Sequence, residues 1–553
     1  MENNKKHTIL LLILFMLVIA TRLIPINFTY SEDEMNLPII LEGQKFVDTS
    51  SHAHPPLGQI LYKLFSLIFG TSLPAIRLFP LLISIFNVYF IYLIASTSYG
   101  RKTAMYSLIF SLLSFHLLLT SSLVSIDPLV LTATLIFIYL LQNESGFDNR
   151  FVLFMGSLLG ISMLIKYQFV ILYPVLLIYH FLHSRSFYKS LILMIRISLV
   201  SIFIFSAFPI LSYLIDPMQF VATVNFLSDY RASMYESLNF PFGSVFVFLA
   251  IFTTPLFIGL SILQAFKLEK RDYLHIILIS VTLLFYLFIV KRGDFSRYLI
   301  TIVPSLIILS ASYINGLNLN RQSIKVIIVS SLVTLFSSYL ISASLLSTSI
   351  IPTKLIGSYF MLLKSFSLNF LFPLNIDHGY WVSINVALLI IISLFMLIIF
   401  LYSLITSNRK LSLFSLLVFV GIGIGYNIYL SSEYLFHVTQ PNPDAAIKDM
   451  LTYFNRNNLS APVYTNDKSF YYALGKLGNT GITYDSSDRI RNINKLRSSI
   501  NSKGGTILYL NFASHVSKED IFSLPSCKVL HEFRSKGITM SYVLSCIPSE
   551  INT

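Results

Sequence analysis

The chain of 553 residues is 55% hydrophobic and only 12% charged, with a mean hydropathy of +0.73. Soluble domains carry about twice that charged fraction, so an ordinary soluble protein is excluded. A net charge of +13 would suit nucleic acid, but the basic residues cluster between apolar runs, where the loop asymmetry of membrane proteins accounts for them, and no nucleic-acid partner is expected.

In chain order, Lys5 and Lys6 precede an apolar run at 8–20. That is the outline of a signal peptide, but no small-x-small cleavage site follows, so it reads as an uncleaved first span. Apolar runs of membrane length, about 17–25 residues, recur to about residue 430. About thirteen spans are expected, near 8–26, 73–95, 103–119, 128–142, 151–165, 168–183, 190–214, 244–264, 273–290, 298–316, 325–345, 381–405 and 411–430. With the N-terminus inside, the inner connections hold 14 Lys and Arg in about 52 residues, and the outer ones 9 in about 127. That excess predicts a cytoplasmic N-terminus. An odd number of spans then leaves residues 431–553 outside.

This tail changes character, with ten acidic and thirteen basic residues and no membrane-length apolar run. Helix-like patterns at Asp444 to Phe454 and Ile490 to Asn501 alternate with strand-like ones at Pro462-Val463-Tyr464 and Thr506 to Leu510. The expected fold is therefore a polytopic all-α membrane region, 1–430, plus a small α/β extracytoplasmic domain, 431–553. Both cysteines lie in the tail. Ser535-Lys536-Gly537-Ile538 has the makings of a tight hairpin turn, and Cys527 and Cys546 are equidistant from its centre. On an oxidising face they read as a disulfide; two buried thiols are the other reading, since a one-residue slip would separate them.

The first outer connection, 27–72, contains two helix-like stretches at Met35 to Phe46 and Leu57 to Phe69, both expected to lie along the membrane interface. Asp33 and Glu34 open the first. Acids there could simply cap a helix, just as Pro55-Pro56 could simply start one. An adjacent carboxylate pair at a membrane surface could equally supply acid/base chemistry.

Taken together, Ser31-Glu32-Asp33-Glu34, Leu41-Glu42-Gly43, His54-Pro55-Pro56-Leu57-Gly58, Phe69-Gly70 and Arg77-Leu78 resemble the first outer loop of the GT-C glycosyltransferases. The similarity is to the protein mannosyltransferase and aminoarabinose (lipid A) transferase branch. Gly100-Arg101, Ile126-Asp127-Pro128, Gly160 with Lys166-Tyr167, and Arg297-Tyr298 with Pro304 extend it over roughly residues 8–320. The resemblance implies an inverting transfer of a hexose or pentose from a polyprenyl-phosphate donor to an acceptor hydroxyl on a glycolipid, envelope glycan or protein. It also implies a plasma-membrane location, because the short connection after the seventh span leaves no room for a large lumenal domain.

By that resemblance Asp33 is the catalytic base, with Glu34 beside it and Asp127 orienting the acceptor or a basic residue; helix capping is the other reading of Asp127. The phosphate would be held by Arg297 first, then by His54, Lys166, Tyr298 and Arg292. Arg297 could instead anchor a helix end, and Lys291 and Arg292 could snorkel. His52-Ala53-His54 is a poor metal spacing, so no cofactor is required and a bystander divalent ion is the remaining option. The rival reading is a transporter or flippase of lipid-linked glycans, although only Arg196 sits well inside a span. A glycan-binding membrane scaffold is a third class, which would have no use for Asp33 and Arg297.

Overall fold

The computed structural model describes residues 2–28, 57–121, 124–144, 146–218, 254–290, 299–344, 371–373, 383–457, 462–465, 493–511, 518–524 and 526–548, with isolated positions between them. Among these, eight helical stretches are long and apolar enough to cross a membrane: Thr8–Asn27, Leu73–Tyr99, Tyr167–Ser184, Phe187–Ile215, Lys270–Phe288, Leu299–Gly316, Arg321–Ser344 and Arg409–Phe436. The chain is a multi-pass membrane protein.

Among the described residues eight of the expected thirteen spans are met at that length, or nine if Arg101–Leu113 and Phe115–Ser121 form one span broken by a 63° bend. The break is at Ser114, whose backbone is extended and whose Oγ accepts from the Leu117 amide at 3.4 Å, as an N-cap starting a new helix does. Of four other expected spans, Asp127–Asn143 and Asn149–Ile165 are shorter apolar helices, Thr254–Lys267 is the described part of the third, and the fourth is the 20-residue helix Val386–Ile405. The 17 residues of Asp127–Asn143 rise about 25 Å, less than the roughly 30 Å of a hydrocarbon core. Leu57–Phe69 is a helix, as its periodicity predicts. The Met35 to Phe46 stretch lies outside the described residues.

Packing separates two compact units. The first comprises the described chain to Ile26, from Leu57 to Val329, and Ile399–Asn427. Within it, Asn149–Ile165 and Phe187–Ile215 pack through glycines four residues apart. A Cβ on Gly156 would lie 2.6 Å from Val200 Cβ, and one on Gly160 would lie 2.8 Å from the Ser201 carbonyl oxygen. Small residues at this spacing let two apolar helices approach to backbone contact.

The second unit takes the remaining described residues, including the C-terminal region. A short antiparallel pair joins β1 (Leu371–Pro373) and β2 (Ser383–Asn385). A four-stranded sheet is built from β3 (Val463–Thr465), β4 (Gly505–Leu510), β5 (Cys527–Ser535) and β6 (Ile538–Cys546), in the order β3-β4-β6-β5. The β3–β4 pair is parallel and the others antiparallel. Ile507, Tyr509, Tyr542 and Leu544 form its core with Leu496 and Ile500 of the helix Ile493–Lys503.

The β5–β6 turn carries positive φ at both Lys536 (51°) and Gly537 (78°), the conformation two-residue hairpins favour. Two bulges interrupt the ladder: Leu530 is extra on β5, and Met540 is extra on β6. Their register shifts are opposite and cancel, so Cys527 pairs with Cys546 and the two are disulfide-bonded.

Candidate functional site

Asp127 opens the helix Asp127–Asn143, with Pro128 in its first turn. Both choices suit a helix start: proline has no amide to leave unpaired, and a carboxylate meets the positive end of the helix dipole. Asn87 fixes this corner by donating to the Pro128 carbonyl at 2.9 Å, while Thr132 donates to Asn87 Oδ1 at 2.8 Å. Ser125 Oγ donates to Asp127 Oδ2 at 3.3 Å.

Lys166 follows the helix Asn149–Ile165 in extended backbone, its amide closing that helix on the Ser162 carbonyl. Its Nζ lies 3.1 Å from Asp127 Oδ1, with side-chain exposures of 6% and 3% for the lysine and the aspartate. The sequence places these residues 39 positions apart, at opposite kinds of helix end, and the fold joins them as a buried ion pair.

The helix Leu57–Phe69 docks on the same corner. A Cβ on Gly58 would lie 2.6 Å from Ile126 Cγ2, so this position must be glycine for the helix to reach the 124–127 turn. One turn later, Tyr62 donates its hydroxyl to the Ser125 carbonyl at 2.8 Å. Tyr62, Ile76 and Val124 make a small apolar cluster. Adjacent to Ile76, the buried Arg77 donates to the Pro25 and Ile26 carbonyls at 3.2 and 3.1 Å, capping the end of the first helix.

Asp33, Glu34 and His54 lie outside the described residues, as do Lys291, Arg292, Arg297 and Tyr298. Described stretches that follow or precede these segments, Leu57–Phe69, Tyr286 and Leu299–Thr301, lie against the elements that carry Asp127 and Lys166. Before residue 29, the chain is held by Arg77; at Leu57 it resumes in the helix docked beside Asp127. Before residue 291, Tyr286 donates to Gln168 Oε1 at 3.1 Å, two residues from Lys166. At Leu299–Thr301 it resumes in a turn packed on the helix that Asp127 opens.

Three residues with no assigned role in the sequence reading are buried in this unit. His116 is 1% exposed and within coulombic reach of Asp127. Arg77 is the cap described above. Arg22, in the last turn of an apolar helix, has the position of a snorkelling anchor. It is instead 1% exposed and donates to Ser84 Oγ, the Val18 carbonyl and the Ser111 carbonyl. Only neighbouring Ser84 and Ser111, polar positions inside apolar helices, could have signalled it. Arg196 is the reverse case: it is exposed and donates to Asn149 Oδ1. Among the described residues no group of three or more His, Cys, Asp or Glu could hold a metal ion.

Comparisons with known proteins bear on the fold. Residues 53–212 match the family model described as dolichyl-phosphate-mannose-protein mannosyltransferase, a range that includes Gly58, Asp127 and Lys166. The crystal structure of ArnT from Cupriavidus metallidurans bound to undecaprenyl phosphate is similar at TM-score 0.58 and 12% identity, over 97% of both chains. The same protein in the apo state gives TM-score 0.54 and 13% identity over the same shares. No curated protein matches at the level of sequence.

Proposed function

We propose that this chain, whose fold is that of the GT-C glycosyltransferases in the protein mannosyltransferase and ArnT branch, transfers a sugar from a polyprenyl-phosphate donor to an acceptor hydroxyl. The observation that supports the reading is the buried Asp127–Lys166 pair, with the helix Leu57–Phe69 docked beside Asp127 and Tyr286 bonded to Gln168 near Lys166. Undecaprenyl phosphate is bound in the similar ArnT structure, which supports a lipid phosphate as leaving group here. With a cytoplasmic N-terminus the site faces the outer surface, and residues 431–553 form an extracytoplasmic domain.

In this reading Asp33 takes the proton of the acceptor hydroxyl while its oxygen forms the bond to the anomeric carbon. The bond from that carbon to the phosphate oxygen breaks in the same step, which inverts the centre. Polyprenyl phosphate departs with the electron pair. Because phosphate is a good leaving group, no second carboxylic acid is needed to protonate it, unlike in glycoside hydrolysis. Charge developing on the phosphate is met by Arg297, whose planar guanidinium can donate two parallel hydrogen bonds. Lys166, His54, Tyr298 and Arg292 support it, and Glu34 neighbours the base.

The test is Asp33→Asn in the purified full-length protein. The amide keeps the shape but cannot take a proton, so turnover should fall about 10²–10⁴-fold with polyprenyl-phosphate binding retained. Near-normal turnover would remove Asp33 from the role of base. Donor movement across vesicles without any transfer would replace the reading with a flippase.

A further inference from the structure

Arg196 has no role in the proposed transfer. It lies well inside the helix Phe187–Ile215, on a side that carries the exposed Ile192, Leu199 and Phe203. The glycine contacts fix where its head goes. Gly156 meets Ile197 and Val200, and Gly160 meets Ser201 and Ile204, so the two helices run side by side in the same direction. Asn149, two turns before Gly156, is therefore level with about Ser190 to Leu193. Helical side chains lean toward their helix start, and the long arginine stem carries the guanidinium back to that level. There it donates to Asn149 Oδ1, on the first residue of the neighbouring helix.

Three more cations share this corner. Arg150 follows Asn149, Arg185 closes the helix Leu172–Ser184, and Lys189 precedes Arg196 by two turns on the same side. Phe147 ties the connections together, its ring edge-on to Phe151, His180 and His183, while His180 bonds Ser190 at 2.7 Å. All four cations are exposed. The acids of the corner are turned to backbone amides: Glu144 accepts from Gly146 and Phe147 at 2.8 and 3.0 Å, and Asp148 from Phe151 at 2.9 Å. Among the described residues no carboxylate pairs with any of the four cations. The excess of basic residues in inner connections accounts for Arg150 and Arg185. It does not account for a cation on the lipid-facing side of a span, aimed by an asparagine.

We propose that this corner binds the phosphate of an anionic glycerophospholipid of the bilayer, with Arg196 as the central ligand. Asn149 takes one guanidinium donor and sets the plane of the group, leaving other donors for phosphate oxygens, which the planar fork matches. Arg150, Arg185 and Lys189 add positive potential around the head group, as basic pockets between helix ends do. An acyl chain follows Leu199 and Phe203, 64% and 78% exposed, and Leu153 of the neighbouring helix, 57% exposed. Lys166 follows the far end of the helix that Asn149 begins, about 25 Å away. The corner is thus separate from the Asp127–Lys166 site and does not depend on its chemistry.

The experiment titrates delipidated full-length protein in detergent with dioleoylphosphatidylglycerol, using dioleoylphosphatidylcholine as the zwitterionic control and native mass spectrometry to count bound lipid. Arg196→Gln should weaken phosphatidylglycerol binding about tenfold, because hydrogen bonds to a charged group contribute at least that much, and leave phosphatidylcholine binding unchanged. Arg196→Lys keeps the charge without the fork and should fall between Arg196→Gln and the unmodified protein. Lys325→Gln, which removes an exposed cation from another connection, should bind phosphatidylglycerol normally. Undiminished binding in both Arg196 variants overturns the inference. An equal loss in Lys325→Gln also overturns it, by reducing the effect to overall charge. Displacement of the lipid by glycerol phosphate would make this a site for soluble anions, and tighter binding there of a polyprenyl monophosphate would assign it to the donor lipid; either result overturns the proposal.

Discussion

Asp127 and Asp272 are both carboxylates buried in the same unit, 2% and 0% exposed, and they are satisfied in different ways. Asp127 faces a cation. Asp272 accepts from the Tyr99 hydroxyl at 2.9 Å, from Gln264 Nε2 at 3.0 Å and from the Glu269 amide at 3.0 Å. Nearby, His275 bonds to Ser305 at 3.0 Å and Gln142 at 2.9 Å, and Ser98 donates to Gln142 at 2.8 Å. Arg271, the adjacent cation, turns instead to Glu269 and the Tyr99 ring. Neutral donors from two helices and from its own connection thus satisfy Asp272, and the group acts as a brace. A buried ion pair is weak evidence for stability, since apolar residues of the same shape often do as well. The proposed function gives the charge at Asp127 and Lys166 a use that stability alone does not require.

The largest expected effect breaks the brace. Asp272→Ala leaves the Tyr99 hydroxyl, Gln264 amide and Glu269 amide without their acceptor, and each such loss costs about 1–3 kcal/mol. Thermal unfolding in detergent should show a loss of several kcal/mol, while the folded fraction keeps its affinity for polyprenyl monophosphate. Changed affinity with unchanged stability would put Asp272 in the same class as Asp127 and dissolve the contrast.

A smaller effect should link packing to the pair. In Gly160→Val the new Cβ would press on the Ser201 carbonyl at 2.8 Å and on Ile204 Cβ at 2.9 Å, and overpacking of this kind costs about 1–3 kcal/mol. Because Lys166 sits one residue beyond the helix that must shift, monophosphate affinity should fall as well. Stability lost with affinity kept would show that the placement of the lysine does not depend on this helix contact.

The separation of these roles was only partly legible in the sequence. Asp127 and Lys166 could each be singled out by motif, and Asp127 had a capping reading, but nothing in a linear string joins residues 39 apart. The motif around Pro56-Leu57-Gly58 pointed to the first connection, yet the need for glycine came from Ile126, which only the docked helix brings to 2.6 Å. Helix positions were readable almost throughout because apolar length is local; membrane-crossing length was not, since Ser114 and Asp127 end or start helices inside apolar runs. The Cys527–Cys546 register came from simple counting, although counting ignores bulges and works only because those at Leu530 and Met540 cancel. Asp272 carried no signal: an acid in a short polar connection looks solvated until the fold encloses it.

The second unit offers the smallest test, because it contains a third buried acid treated as Asp272 is. Glu433, 0% exposed, accepts from the Thr439 amide and hydroxyl at 3.0 and 2.7 Å and from the Gln440 amide at 3.1 Å. It thereby pins a turn containing His437, which has φ of 47° and is 6% exposed. Burial lowers the His437 pKa to about 4, with the Asp444 charge opposing in part. Between its ordinary value near 6.5 and 4, the unfolded chain binds a proton that the folded chain does not. Stability should therefore fall as the pH drops through that window, by at most about 1.4 kcal/mol per pH unit. His437→Asn retains a side chain that tolerates left-handed backbone and removes the titration, so the slope from this group should vanish. A slope that persists unchanged in His437→Asn would assign the acid sensitivity to another group.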